Sequence, residues 1–76
     1  YAYALALHEA GRRDEARAQL KRAHVRFPGD REILYAAAAF AQQAGDHKAA
    51  QDYLRLFATL APDDPRVSAL AKARTP

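Results

Sequence analysis

The chain contains no cysteine, which excludes disulfides, thiol catalysis and cysteine-ligated metals while leaving the redox compartment open. It has no run near the ~18 consecutive apolar residues of a membrane-spanning helix, and residues 1–7 lack the basic lead of a signal peptide. Serine occurs once, at Ser68, so no Ser-His-Asp arrangement can be built from spacing. The three glycines stand apart from one another, whereas a phosphate-cradling loop groups them. His8-Glu9 begins like a zinc-protease helix, but Arg12 stands where the second histidine belongs. His24 and His47 fall in separate segments without carboxylates at ligand spacing. No catalytic residue, metal ligand or cofactor is therefore assigned, and the chain is not expected to be an enzyme.

What the chain has in plenty is alanine, 20 of 76 residues. Alanine costs no side-chain entropy in a helix and lets helices approach closely, so the composition favours packed helices. The length allows one small domain, near the size at which a core is marginal. Nine of the twelve basic residues are Arg, and the net charge is +3. That charge does not by itself argue for a nucleic-acid partner.

The sequence matches itself at an offset of 34 residues: Tyr1-Ala2 with Tyr35-Ala36, Ala10-Gly11 with Ala44-Gly45, Ala16 with Ala50. Leu20 returns as Leu54, Pro28 as Pro62 and Asp30 as Asp64. The matched residues are backbone punctuators and small packing positions, and those between them vary. A repeat with a fixed backbone and a free surface behaves this way. Glycine and proline divide the chain into helices over residues 1–10, 12–27, 31–44, 47–60 and 65–74. Asp30, Asp46 and Asp64 stand at helix starts, with Pro65 in the first position of the last one. Loops of two to four residues make consecutive helices antiparallel neighbours. No strand pattern occurs.

These marks resemble the tetratricopeptide repeat family. The second unit matches at Leu34, Ala37-Ala38, Ala41, Ala50, Leu54 and Pro62. The first, missing its opening turn, matches at Tyr3-Ala4, Leu7, Ala16, Leu20 and Pro28. Leu34 stands where the family usually has Trp, and Ala replaces larger residues at 37 and 41. The resemblance implies an all-α, right-handed α-solenoid of antiparallel helix pairs. It would form a single domain over 1–76, with a truncated first unit at 1–30, a second at 31–64 and a capping helix at 65–74. The polar residues of 66–74, followed by Thr75-Pro76, suit an outer cap. The chain starts without Met inside an apolar helical pattern, so it is expected to be the C-terminal part of a longer protein. The Arg- and Ala-rich composition suggests a bacterial source. The departures at 37 and 41 point to a volume exchange between units, Tyr3 and Leu7 against Ala23 in the first, Ala37 and Ala41 against Phe57 in the second.

By resemblance, the leading function is protein–protein interaction, with a peptide or protein partner held in the concave groove. Carried over residue by residue, the groove takes Tyr1, Leu5, His8 and Glu9 from the first unit and Glu32, Tyr35, Ala39, Gln42 and Gln43 from the second. The last helix adds Arg66, with Ala69 beside it. Tyr1 and Tyr35 lie one period apart, so their rings are expected side by side as anchors. Some family members clamp the acidic tail of a chaperone; the matching positions here are Tyr1, Leu5, Ala36, Arg66 and Leu70, of which only Arg66 suits, so that partner is rejected. The alternative function is structural: a cap, or a self-association unit of a larger protein, which keeps a homo-oligomer open. The helix over residues 12–26 carries Arg13, Arg17 and Lys21 as one stripe with Arg22 and Arg26 beside it. Contact with an anion or nucleic acid through that helix ranks last, since the family turns it outward and no aromatics interleave with the arginines. No small-molecule substrate and no membrane span is expected, and cytoplasm and periplasm stay equally open.

Overall fold

A computed structural model describes residues 1–73. Arg74, the expected end of the last helix, and Thr75-Pro76, assigned to the outer cap, lie outside the described residues. The described chain is all-helical: α1 (Ala2–Glu9), α2 (Arg13–Arg26), α3 (Arg31–Gln43), α4 (His47–Leu60) and α5 (Arg66–Ala73). Each helix packs on its neighbours in sequence, and α5 reaches back to α3 as well as α4.

The 34-residue period is written into the backbone. Gly11 and Gly45 take φ of +82° and +76°, the left-handed region where a side chain clashes with the following carbonyl. Around each, two hydrogen bonds close the helix end. The amides of Gly11 and Arg12 donate to His8 and Leu7 carbonyls at 3.0 and 2.9 Å, and those of Gly45 and Asp46 to Gln42 and Ala41 at 3.0 Å each. This pairing satisfies carbonyls that a helix end would leave open. Phe27 and Ala61, each before a proline, leave their helices at φ/ψ of −130°/68° and −134°/66°. Proline disfavours helical dihedrals in the preceding residue, so both helices stop there. The Asp30 and Asp64 amides then donate to Phe27 and Ala61 carbonyls, both at 3.1 Å.

Aspartates start three of the helices. Asp30 accepts from the Glu32 and Ile33 amides, Asp46 from Ala49, and Asp64 from Arg66 at 3.0 Å. α2 is the exception, because Arg12 occupies the position of Asp46 and makes no cap. Its guanidinium instead bridges to Glu15 at 2.8 Å. Replacing Gly45 by Ala should cost about 1–2 kcal/mol from backbone strain alone, since an added Cβ there meets nothing within 4 Å. Urea unfolding of the variant checks this; no loss would mean that the turn relaxes.

The core forms on both sides of α3. On one side Ala4 and Leu7 of α1 and Ala16 and Leu20 of α2 meet Ile33, Ala36, Ala37 and Phe40. On the other, Leu34 and Ala38 meet Leu54 and Phe57 of α4, Ala61, and Leu70 of α5. Alanine at 36–39 lets neighbours close on α3 from both sides, which explains why its apolar residues run almost all round. Phe57 is fully buried, as the volume-exchange argument required. Its partners differ from those expected: Leu34 and Ala38 surround it, while Ala37 packs in the opposite cluster. Tyr3, expected in the core facing Ala23, is 60% exposed. The exchange therefore does not hold as a pairing between units, because a one-residue step turns a side chain about 100° round a helix, to another neighbour.

Candidate functional site

The residues assigned to the inner face come from α1, α3 and α5, and cross-helix contacts bind these three helices together. His8 stacks on Phe40 with ring centroids 3.9 Å apart and planes at 10°, and its Nε2 lies 2.8 Å from the Gln43 side-chain oxygen. Gln42, one period after His8, donates through its amide nitrogen to the Leu70 carbonyl at 3.0 Å. The same position in two successive units thus reaches toward the next helix of its layer. Leu5 is half-buried against the first cluster, and Ala39 borders both clusters. Glu9 is exposed.

Arg66 is the centre of the other seam. Its two terminal nitrogens donate to both oxygens of Glu32 at 2.7 and 2.6 Å, a planar two-point pairing. It also donates to both oxygens of Asp64, at 3.0 and 2.8 Å. Its plane lies 4.6 Å from the Tyr35 ring centroid and 5.4 Å from that of Phe57. Arg31 adds a looser pairing to Asp64 at 3.7 Å. Glu32 and Arg66 are one period apart, so a charge exchange at one register position joins α3 to α5.

This network shifts the groups in it. The Arg66 side chain and then its own amide, both donating to Asp64, hold that carboxyl well below the usual range. Arg66 likewise lowers Glu32. The two carboxylates in turn raise the guanidinium, Glu32 first. Partial burial and the neighbouring Glu32 charge push the Tyr1 phenol up. A carboxyl lowered in the folded state binds fewer protons than in the unfolded chain, so its contribution is complete above about pH 5 and is lost as pH falls further. We expect thermal stability to drop below about pH 5, and Glu32→Gln to flatten that decline. An unchanged pH profile in Glu32→Gln would show that the pair contributes nothing.

Tyr35 is half-buried, with Arg66 on its ring and Phe57 at 5.9 Å. The ring-to-ring contacts among the described residues join His8 to Phe40, His24 to Tyr53, and Tyr35 to Phe57. Tyr1 and Tyr35 are coupled electrostatically and make no ring contact. The side-by-side pair inferred from the period therefore does not form. Arg66 covers Tyr35 in place of Tyr1, which stays 45% exposed.

Sequence reasoning placed Asp64 as a helix cap but missed its ion pair with Arg66, as it missed Phe40 as the platform for His8 and the Arg17–Asp46 pair at 2.8 Å between α2 and the start of α4. The Glu32/Arg66 spacing of one period was the signal available for the latch. Among the described residues no helix is long and apolar enough to cross a membrane, and no group of three or more His, Asp or Glu could hold a metal ion.

Repeating helix pairs, matched turns one period apart and a two-sided core on α3 define a helical-repeat protein. A family model described as tetratricopeptide repeat matches residues 1–40, just over half of the chain, and the chain belongs to that family. Its repeats generally act as protein-interaction modules on a scaffold that is typically non-enzymatic. No curated protein and no solved structure matches the chain significantly.

Proposed function

We propose that the chain binds a peptide or protein partner along the face shared by α1, α3 and α5, the side taken as the concave groove. The observation that carries this reading is the continuity of that face: His8, Phe40, Gln42, Gln43, Glu32 and Arg66 link three helices from neighbouring units. Tyr1, Leu5 and Ala39 would form its apolar part, and Glu9 and the amides its polar part. Charges of both signs suit a mixed ligand better than a strongly acidic or basic one. Tyr35 would act as an anchor once a partner displaces the Arg66 guanidinium from its ring.

A specific observation also favours the capping reading. Leu34 and Ala38 of α3 pack against α4, whereas one period later α5 carries Ser68 and Lys72, both exposed. A further helix would find no apolar seat there, and the Arg66 latch ties α5 down as a lid on the second cluster. One experiment separates the readings. With this chain as bait and the captured partner titrated afterwards, Tyr35→Ala should bind at least about tenfold more weakly. Unchanged binding by a folded Tyr35→Ala protein rules out the groove and leaves Tyr35 as a residue of the seam.

A further inference from the structure

Between α2 and α4, the helices that take no part in the α1–α3–α5 face, lies an open hollow of about 260 Å³. Its walls and floor come from helices in the middle of the chain. Arg17, Ala18 and Lys21 form the α2 wall, Asp46, Ala49 and Tyr53 the opposite one, and Ala37 of α3 lies at the bottom. Side-chain contacts close both ends. Arg17 donates to Asp46 at 2.8 Å, and the His24 and Tyr53 rings meet nearly at right angles with centroids 6.1 Å apart. These closures stand about 10 Å apart along α2. Ala37 comes one period after Tyr3, and the volume it lacks is not returned by Phe57, which belongs to the other cluster. That volume stays open here.

Shape and charge together specify the occupant. The bottom is small and apolar, with Ala37 buried, Ala49 half-buried and the Tyr53 ring beside them. On the rim Arg17 and Asp46 cancel one another, whereas Lys21 is exposed and has no ion-pair partner among the described residues. One apolar group with a single negative charge beside it satisfies both. Small-molecule sites have roughly 300–1,000 Å³ and enclose most of their ligand. This hollow is smaller and open to solvent, so its occupant has to bring its own cover, as a protein surface does around an anchor side chain. The closed ends stop a helix from lying along the seam, but a loop can lower one side chain from above. A single-stranded nucleic acid would need successive flat rings and would set its phosphates against Asp46.

We propose that this hollow seats one large apolar side chain from a loop of a partner protein, with an adjacent carboxylate of that loop on Lys21. The site stands apart from the α1–α3–α5 face and does not rest on binding there. The test titrates the isotope-labelled chain with the acetylated, amidated peptide Gly-Ser-Phe-Glu-Ser-Gly and follows backbone amide shifts. One control peptide has Ala for Phe and another has Lys for Glu. The Phe-Glu peptide should move the amides of Ala18, Lys21, Ala49 and Tyr53 at concentrations at least about tenfold below those either control needs. Ala18→Leu, at an exposed helical position, should fill the hollow and abolish these shifts while the urea midpoint stays equal or rises. Lys21→Glu should turn the preference toward the Phe-Lys peptide. Tyr35→Ala should change nothing, so failure of the groove and failure of this site are told apart. The proposal fails if no shift appears up to millimolar peptide, if the shifts fall elsewhere, or if Ala18→Leu binds as the wild type does. It fails equally if Lys21→Glu keeps the original preference, if a single-stranded oligothymidine displaces the peptide at physiological salt, or if Ala18→Leu dissociates a homodimer.

Discussion

Phe57→Ala should destabilise the domain by about 3–5 kcal/mol, the largest single loss expected in this chain. Phe57 is fully buried and sits where α3, α4 and α5 meet, against Leu34, Ala38, Leu54, Ala61 and Leu70. Truncation removes the ring's transfer free energy and leaves a cavity, and the surrounding alanines have no side chain to fold into it. The ring also carries Tyr35 and one side of the Arg66 guanidinium, so the latch would lose its floor. A domain of 76 residues has about 4–11 kcal/mol in all. The variant should therefore be partly unfolded at 25 °C, with a far-UV signal well below that of the wild type. A loss under about 1 kcal/mol in urea unfolding would show that α5 and its neighbours collapse into the space.

Leu20→Ala should cost nearly as much, about 3 kcal/mol, from the opposite side of α3. Leu20 is fully buried between Ala4 and Leu7 of α1 and Ile33 and Phe40 of α3, and it is the one large side chain that α2 gives to that cluster. The two clusters share no buried residue, but Ala39 and Tyr53 pack against both. Unfolding is therefore expected to remain a single transition in either variant, with helicity and tyrosine fluorescence lost together. Separate transitions in Leu20→Ala would mean that the helix pairs fold independently and that the bridge through Ala39 and Tyr53 is too weak to couple them.

The helix boundaries were legible to within a residue or so because their signals are local. A glycine at the end of α1 or α3 permits positive φ whatever packs nearby, and a proline after Phe27 or Ala61 constrains only the residue before it. The burial of Ala16, Leu20, Ala50 and Leu54 was equally legible, since these are the positions that recur at the period. The candidate site was less so. The register assigned α1, α3 and α5 to one face, yet Arg66 could be read as a ligand-binding residue only while its donors were unassigned. In the structure Glu32 and Asp64 already occupy them. Likewise, no aromatic stands between the arginines within α2, yet Phe27 at its end lies under Arg26, and Tyr1 and Tyr3 come near from the first helix.

By itself, then, the sequence determined the period, the five helices of the described residues, their turns and the family, because each depends on residues within about one helical turn or on their recurrence. Tertiary structure alone decided which faces meet: Phe57 with Leu34 and Ala38, Arg66 over Tyr35, Tyr3 and Phe27 beside Arg22 and Arg26. The physical reason is that successive side chains point about 100° apart on a helix, while the angle at which two helices cross is set by the ridges of both. In a helix as rich in alanine as α3, the small side chains mark that angle weakly along the sequence. The larger partners on α2, α4 and α5 are what turn it into one arrangement.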